Sequence, residues 1–205
     1  DYIQVYNDGN PNSRAAARIY GGGLFLNSNG HNVTIDTVLF GDGFLTKTGT
    51  GTLTLSKTNT YTSNTSVNAG TLEISATGKL YGGGYINGPV VTVASGTTLR
   101  LNAWNYNDAG GLANLDFSRE LLVVNGGTID YAGNTNDPSN PGAAGRNFTI
   151  GTGGATLNVT TAGQTLTITD HASYGALINN NGLTLGGVGN GVIGKVISGS
   201  SAMTK

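Results

Sequence analysis

One short phrase recurs along this chain: a glycine at a turn, usually a threonine, then apolar, polar and apolar residues in alternation. It reads Gly51-Thr52-Leu53-Thr54-Leu55, then Gly70-Thr71-Leu72-Glu73-Ile74, Gly96-Thr97-Thr98-Leu99-Arg100-Leu101 and Gly127-Thr128-Ile129-Asp130-Tyr131. Later copies begin at Gly154, Gly163 and Gly182. Alternation with period 2 gives each copy one buried and one wet face, the mark of a strand. Further alternating runs lie between the copies, such as Val91-Thr92-Val93, Leu121 to Val124 and Phe148-Thr149-Ile150. Short strands between Gly/Asn turns suit either a sandwich or a solenoid. A sandwich needs no echo between its strands, whereas a parallel β-helix lays like turns on like and reuses one phrase. The echo predicts an all-β, right-handed parallel β-helix, the hand following from the rule for parallel crossovers. Turns of roughly 20–27 residues would give about eight levels and, at about 4.8 Å per level, a rod about 40 Å long.

Composition removes the competing classes. Glycine supplies 35 of 205 residues, but not at every third position, so a collagen helix is excluded. Lys+Arg 10 against Asp+Glu 11 leaves no basic excess to neutralise phosphates, which argues against a nucleic-acid partner. The absence of cysteine excludes a disulfide scaffold and any thiolate site. No run of 18 apolar residues exists to span a bilayer as a helix. With 37% hydrophobic and 10% charged residues, charge repulsion cannot keep the chain disordered. No basic and apolar N-terminal stretch resembles a signal peptide, so the expectation is a chain that starts inside a mature protein or a cytoplasmic one.

Two stretches break the rhythm. Residues 102–118 (NAWNYNDAGGLANLDFS) and 133–145 (GNTNDPSNPGAAG, with Pro138 and Pro141) lack alternation and read as loops inserted in the rod. Residues 9–17, with Pro11, read as a third, and Ala15 to Arg18 could close one helical turn.

The most specific segment spans residues 43–72. It reads Gly43-Phe44-Leu45-Thr46-Lys47-Thr48-Gly49-Thr50-Gly51-Thr52-Leu53-Thr54-Leu55-Ser56, then Lys57-Thr58-Asn59-Thr60-Tyr61, then Val67-Asn68-Ala69-Gly70-Thr71-Leu72. This resembles the autotransporter-associated β-strand repeat, also called the passenger-associated transport repeat, whose pattern is G-x-L-x-K-x-G-x-G-T-L-x-L-S-G-x-N-x-Y-x-G-x-T-x-V-x-x-G-T-L. The matching positions are Gly43, Lys47, Gly49, Gly51, Leu53, Leu55, Asn59, Tyr61, Val67, Gly70 and Leu72. Lys57 and Ser63 depart from it, standing where the family has glycine. Residues 125–129 and 146–151 echo the family more loosely. Val196 to Lys205 reads as the lead-in to a second copy, with Lys205 aligned on Lys47.

The resemblance implies that residues 1–205 form one β-helix segment of a longer, secreted passenger displayed on a bacterial cell surface. Its expected role is that of a structural stalk and export aid, adhesive through its loops. The same resemblance implies a C-terminal outer-membrane barrel in the precursor, outside this chain. Neighbouring turns or stacked copies are expected to cover both ends of the rod, because bare strand edges template aggregation.

The alternative is a polysaccharide-active enzyme on the same rod, which would need paired carboxylates on one face. Asp36 and Asp42, Asp116 and Glu120, and Asp130 and Asp137 are the available pairs, and none falls on matching positions of successive turns. His31 and His171 are isolated, no G-x-S-x-G elbow occurs, and two histidines without cysteine make a poor zinc site. Residues 189–196 imitate a phosphate loop but continue as strand. Residues 186–193 nearly fit a calcium-binding nonapeptide, with Gly191 where the ligand aspartate belongs. No catalytic group, metal or cofactor is expected. One ligand-binding candidate remains: Trp104, Tyr106 and Asp108, a flat aromatic surface beside polar groups suited to surface glycans. The competing assignment has Trp104 capping the apolar flank of the rod.

Overall fold

The computed structural model of the chain describes residues 3–6, 16–81, 89–104, 111, 121–135, 148–169, 177–178, 180–194 and 197–205. Every regular element among them is a strand. The strands pile into faces in which sequence order and spatial order coincide. One face has eight parallel strands: Val33–Ile35, Thr52–Leu55, Thr71–Ile74, Thr98–Ala103, Thr128–Thr135, Ala155–Val159, Leu183–Gly187 and Met203–Thr204. A second has six: Leu24–Asn27, Leu45–Thr48, Thr65–Val67, Val91–Val93, Leu122–Val124 and Thr149–Ile150. A third holds Ala16–Ile19, Val38–Gly41 and Thr60–Tyr61 in parallel, continued by single bridges from Thr58 to Lys79 and from Lys79 to Gly111. Two further parallel pairs, Thr165–Thr169 with Asn190–Gly194 and Leu177–Ile178 with Ile197–Ser198, carry the stack onward. The chain is a three-faced parallel β-helix.

The recurring phrase sets this register. Thr52, Thr71, Thr98, Thr128, Thr156, Thr184 and Thr204 stand in one outward column, each paired with the next. Their neighbours Leu53, Leu72, Leu99, Ile129 and Leu157 form the adjacent inward column, all buried. Each such side chain contributes about 1.5–3 kcal/mol by leaving water. Glycine makes the corners possible. Gly49, Gly51 and Gly70 all have positive φ, and a side chain at Gly43 would run into the Tyr20 carbonyl on the turn before.

Turn length is not constant. The turn that separates Val91 from its partner Leu122 is considerably longer than the one that separates Val33 from Leu53. Several expectations need correction. Asn102 and Ala103 are strand, as are Gly133 to Thr135, so these five residues belong to the eight-stranded face rather than to loops. Residues 105–110, 112–120 and 136–147 lie outside the described residues, as do 9–15. Ala16 and Ala17 belong to a strand rather than to a helical turn. Ile3–Tyr6 runs antiparallel to Ala16–Ile19, a departure from the all-parallel stack the recurring phrase predicts. Lys205 is not the counterpart of Lys47. Met203 pairs with Leu183 on the eight-stranded face, which sets Lys205 in the column of Leu157 and Leu185, whereas Lys47 lies on the six-stranded face.

Candidate functional site

The polar residues of the segment 43–72 converge on the corners of the rod. Lys47 pairs with Leu26 before it and Val67 after it, and so takes a place in an inward column that continues through Val93, Val124 and Ile150. It is fully buried. Its Nζ donates to the carbonyls of Thr48 (2.9 Å) and Gly49 (2.7 Å) on its own turn and of Ala69 (3.1 Å) on the next. Among the described residues, no carboxylate joins those three acceptors. Burial pulls the ammonium below the ordinary lysine value, and the carbonyl cage is what holds the charge inside. Gly70 completes the cage, since a Cβ there would lie 2.7 Å from the Gly49 carbonyl and 3.1 Å from Lys47 Nζ.

Asn59 serves the second corner and is 1% exposed. Its Oδ1 accepts from the Leu39 amide (3.0 Å), on the turn before. Its Nδ2 donates to Lys57 O (3.0 Å) and to Lys79 O (2.9 Å), the latter on the turn after. The side chain therefore joins three successive turns. The third corner holds Tyr61, Thr65 and Tyr81. Thr65 Oγ1 lies 2.6 Å from the Tyr61 hydroxyl and 2.8 Å from that of Tyr81, which donates on to Ser63 O at 3.1 Å. The two rings sit 5.3 Å apart, tilted by 59°. Burial pushes both phenols well above their ordinary value; for Tyr61 the neighbouring Tyr81 adds to the effect.

The family departures find partners here. Lys57 makes an exposed ion pair with Asp36 of the preceding turn (2.7 Å), and Ser56 Oγ donates to the same carboxylate. Those contacts, Lys57 first, hold Asp36 below the usual carboxylate range. Ser63 contributes its carbonyl to Tyr81. Sequence reasoning missed the residues that do similar work at the first corner elsewhere. Ser28 Oγ donates to Thr50 O, Thr97 Oγ1 to Val67 O, and Asn181 Nδ2 to Ile150 O, while Asn125 Oδ1 accepts from the Gly153 amide. The equal spacing of Asn59 from Lys79 and of Tyr61 from Tyr81 was the signal available.

Trp104 does not supply the flat surface that the glycan candidate needs. It is fully buried, edge-on to Phe148 at 6.4 Å, and presents no face to a sugar. Tyr106 and Asp108 lie outside the described residues. Of the acids, Asp36 is paired with Lys57, and Asp130, buried, accepts from Arg100 Nε at 2.8 Å. Asp42 and His31 are exposed; Asp116, Glu120, Asp137 and His171 lie outside the described residues. Among the described residues, no group of three or more His, Asp or Glu could hold a metal ion.

A family model described as the passenger-associated-transport-repeat matches residues 45–74. No curated protein matches the chain, and no solved structure does. The matched span holds Lys47, Asn59, Tyr61, Thr65 and Gly70, all five of them in the corner contacts. A passenger-associated transport repeat thus occupies residues 45–74.

Proposed function

We propose that this chain is a structural stalk of a bacterial surface passenger and that its repeat promotes export. The observation that carries the reading is the set of side chains in residues 45–74 that bond forward to the following turn. Lys47 reaches Ala69, and Asn59 reaches Lys79. A chain emerging in sequence would leave these buried polar groups open until the next turn arrived. Laying that turn down satisfies them and buries a fresh apolar column, so each step of folding opposes retreat. Such a stalk sits outside the cell, carried there by a barrel of the same precursor, with neighbouring turns covering its ends. Adhesion is the finer part of the proposal and falls to the inserted segments. A glycan array that separates Tyr106→Ala and Asp108→Ala from the parent protein would support it, and identical arrays would remove it.

The export reading has a direct test. Thr54 lies on the second strand of the eight-stranded face, paired on both sides, with Thr34 and Glu73. Thr54→Pro removes a ladder donor there and should sharply reduce surface display with synthesis unchanged. Full display of that variant would refute the proposal.

A further inference from the structure

We infer that Lys47, Asn59 and the Thr65–Tyr81 pair form a register key, which admits a turn of the rod only when it arrives in step with the turn before. The inference deepens the export proposal and rests on it for its biological purpose alone. The need for a key follows from the apolar pattern. A slip of one residue turns every inward side chain outward and is rejected by burial. A slip of two residues is different. It would set Leu53 over Ile74 instead of Leu72, and threonine would still face out. The recurring phrase is nearly blind to that error.

The corner contacts are not blind to it. A two-residue slip displaces the chain by roughly 6–7 Å, which takes the Ala69 carbonyl away from Lys47 Nζ. The ammonium is then left short of an acceptor between Leu26 and Val67. The same slip parts Asn59 from Lys79 O, and Tyr81 from the Thr65 hydroxyl. Buried polar groups that lose their partners penalise the wrong register far more than a changed apolar contact does. Three corners are keyed at once, so an error at any of them is sensed. The key lies where turns are short, as the pairs Val33 with Leu53 and Leu45 with Thr65 show. Beyond it, the pairs Thr65 with Val91 and Val91 with Leu122 enclose progressively longer turns. The keyed turns therefore set the register on which the longer ones are laid.

The chain has no cysteine, so introduced pairs report register without background. Thr54 and Glu73 are partners on the outer face; Thr54→Cys with Glu73→Cys lies within disulfide reach, whereas Thr54→Cys with Thr71→Cys or Ser75→Cys does not, unless the strand has slipped. Each pair is refolded from denaturant and then oxidised. With the key intact, out-of-register product should stay below about a tenth of the in-register product. In a Lys47→Met, Asn59→Leu background it should rise at least fivefold. An unchanged ratio would overturn the inference, because the apolar pattern alone would then suffice. Should the double variant fail to fold, Tyr81→Phe removes one hydroxyl and little else; it should still raise the out-of-register product about twofold, and no rise would equally overturn the key. If the cross-links shift as expected but the Lys47→Met, Asn59→Leu passenger is displayed normally, the export reading fails and the key stands.

Discussion

Asn59→Ala tests the energetics of the corners most directly. The substitution leaves the buried Leu39 amide without its acceptor at 3.0 Å, which costs about 1–3 kcal/mol. It also deletes the bonds from Nδ2 to Lys57 O and Lys79 O, each worth about 0.5–1.5 kcal/mol net. Lys79 O keeps the Asn59 amide at 2.9 Å, so that carbonyl is not stranded. The expected loss is about 3–4 kcal/mol, a large share of the roughly 5–15 kcal/mol typical of a folded domain. With a urea dependence of about 2 kcal/mol per molar, the midpoint should fall by about 1.5–2 M. Trp104 is the single tryptophan and is fully buried, so its fluorescence follows unfolding, and hydrogen exchange at Leu39 reports the corner itself. Asn59→Asp keeps the acceptor for Leu39 but sets a carboxylate against two carbonyls. Its folded pKa should lie above the unfolded value of about 3.9. Stability is then present below that unfolded value and lost as pH rises through the folded one, so the gap to the parent should narrow on acidification. An alanine variant that loses less than about 1 kcal/mol, with Leu39 exchange unchanged, would show that Asn59 is not the acceptor this account requires.

Gly70→Ala and Gly96→Ala make a matched pair. Their φ angles are +68° and +71°, but a Cβ at Gly70 meets the Gly51 and Gly49 carbonyls and Lys47 Nζ, whereas one at Gly96 meets nothing within 4 Å. Gly96→Ala should cost about 1–2 kcal/mol for the left-handed backbone alone, and Gly70→Ala about 2 kcal/mol more; equal midpoints in denaturant would dismiss the close packing of the turns at Gly70. Lys47→Arg should fare no better than Gly70→Ala, because a planar fork needs room that Gly70 and the three carbonyls do not leave. Both buried phenols titrate above their ordinary value, so their stabilising contribution is whole below about pH 10 and lost as pH rises through the folded values. Stability should therefore fall steeply in that alkaline range, with tyrosinate absorbance rising in step with unfolding, and Tyr81→Phe should flatten the fall.

The eight-stranded face was legible because Gly-Thr-apolar phrases mark both its strands and its register. The segment 43–72 likewise announced its turns. Other parts of the rod left weaker traces for definite reasons. Beyond Val38–Gly41 the third face shrinks to Thr60–Tyr61 and to lone bridges at Lys79 and Gly111, too short for alternation to show. Trp104 follows the strand Thr98–Ala103 and sits among Asn and Asp, so composition placed it in a loop while apolar burial drew it into the core. Lys205 imitated Lys47 by local spelling, yet a residue's column is set by pairing, and Met203 with Leu183 fixes a different face. The corner partners are hardest to read. Ser28 reaches Thr50 and Asn181 reaches Ile150 across unequal stretches of chain, a separation that changes with every insertion.

Why the polar residues gather at corners follows from the backbone. Along each face, the ladder satisfies peptide groups at every level, and side chains need only be apolar within. At a corner the ladder stops, and buried amides and carbonyls there need another partner. Asn59 supplies one, acting for Leu39 and Lys79 as a neighbouring strand would; Lys47 does the same for Gly49 and Ala69. Surface charge could not take over this work. With 10% charged residues, charges are sparse, and an exposed pair such as Lys57–Asp36 contributes little and weakens with salt. Nor can covalent links do so in a chain without cysteine. Specificity must come from groups whose partners are lost when a turn is misplaced, and in a rod of repeating phrases such groups belong where the repeat bends.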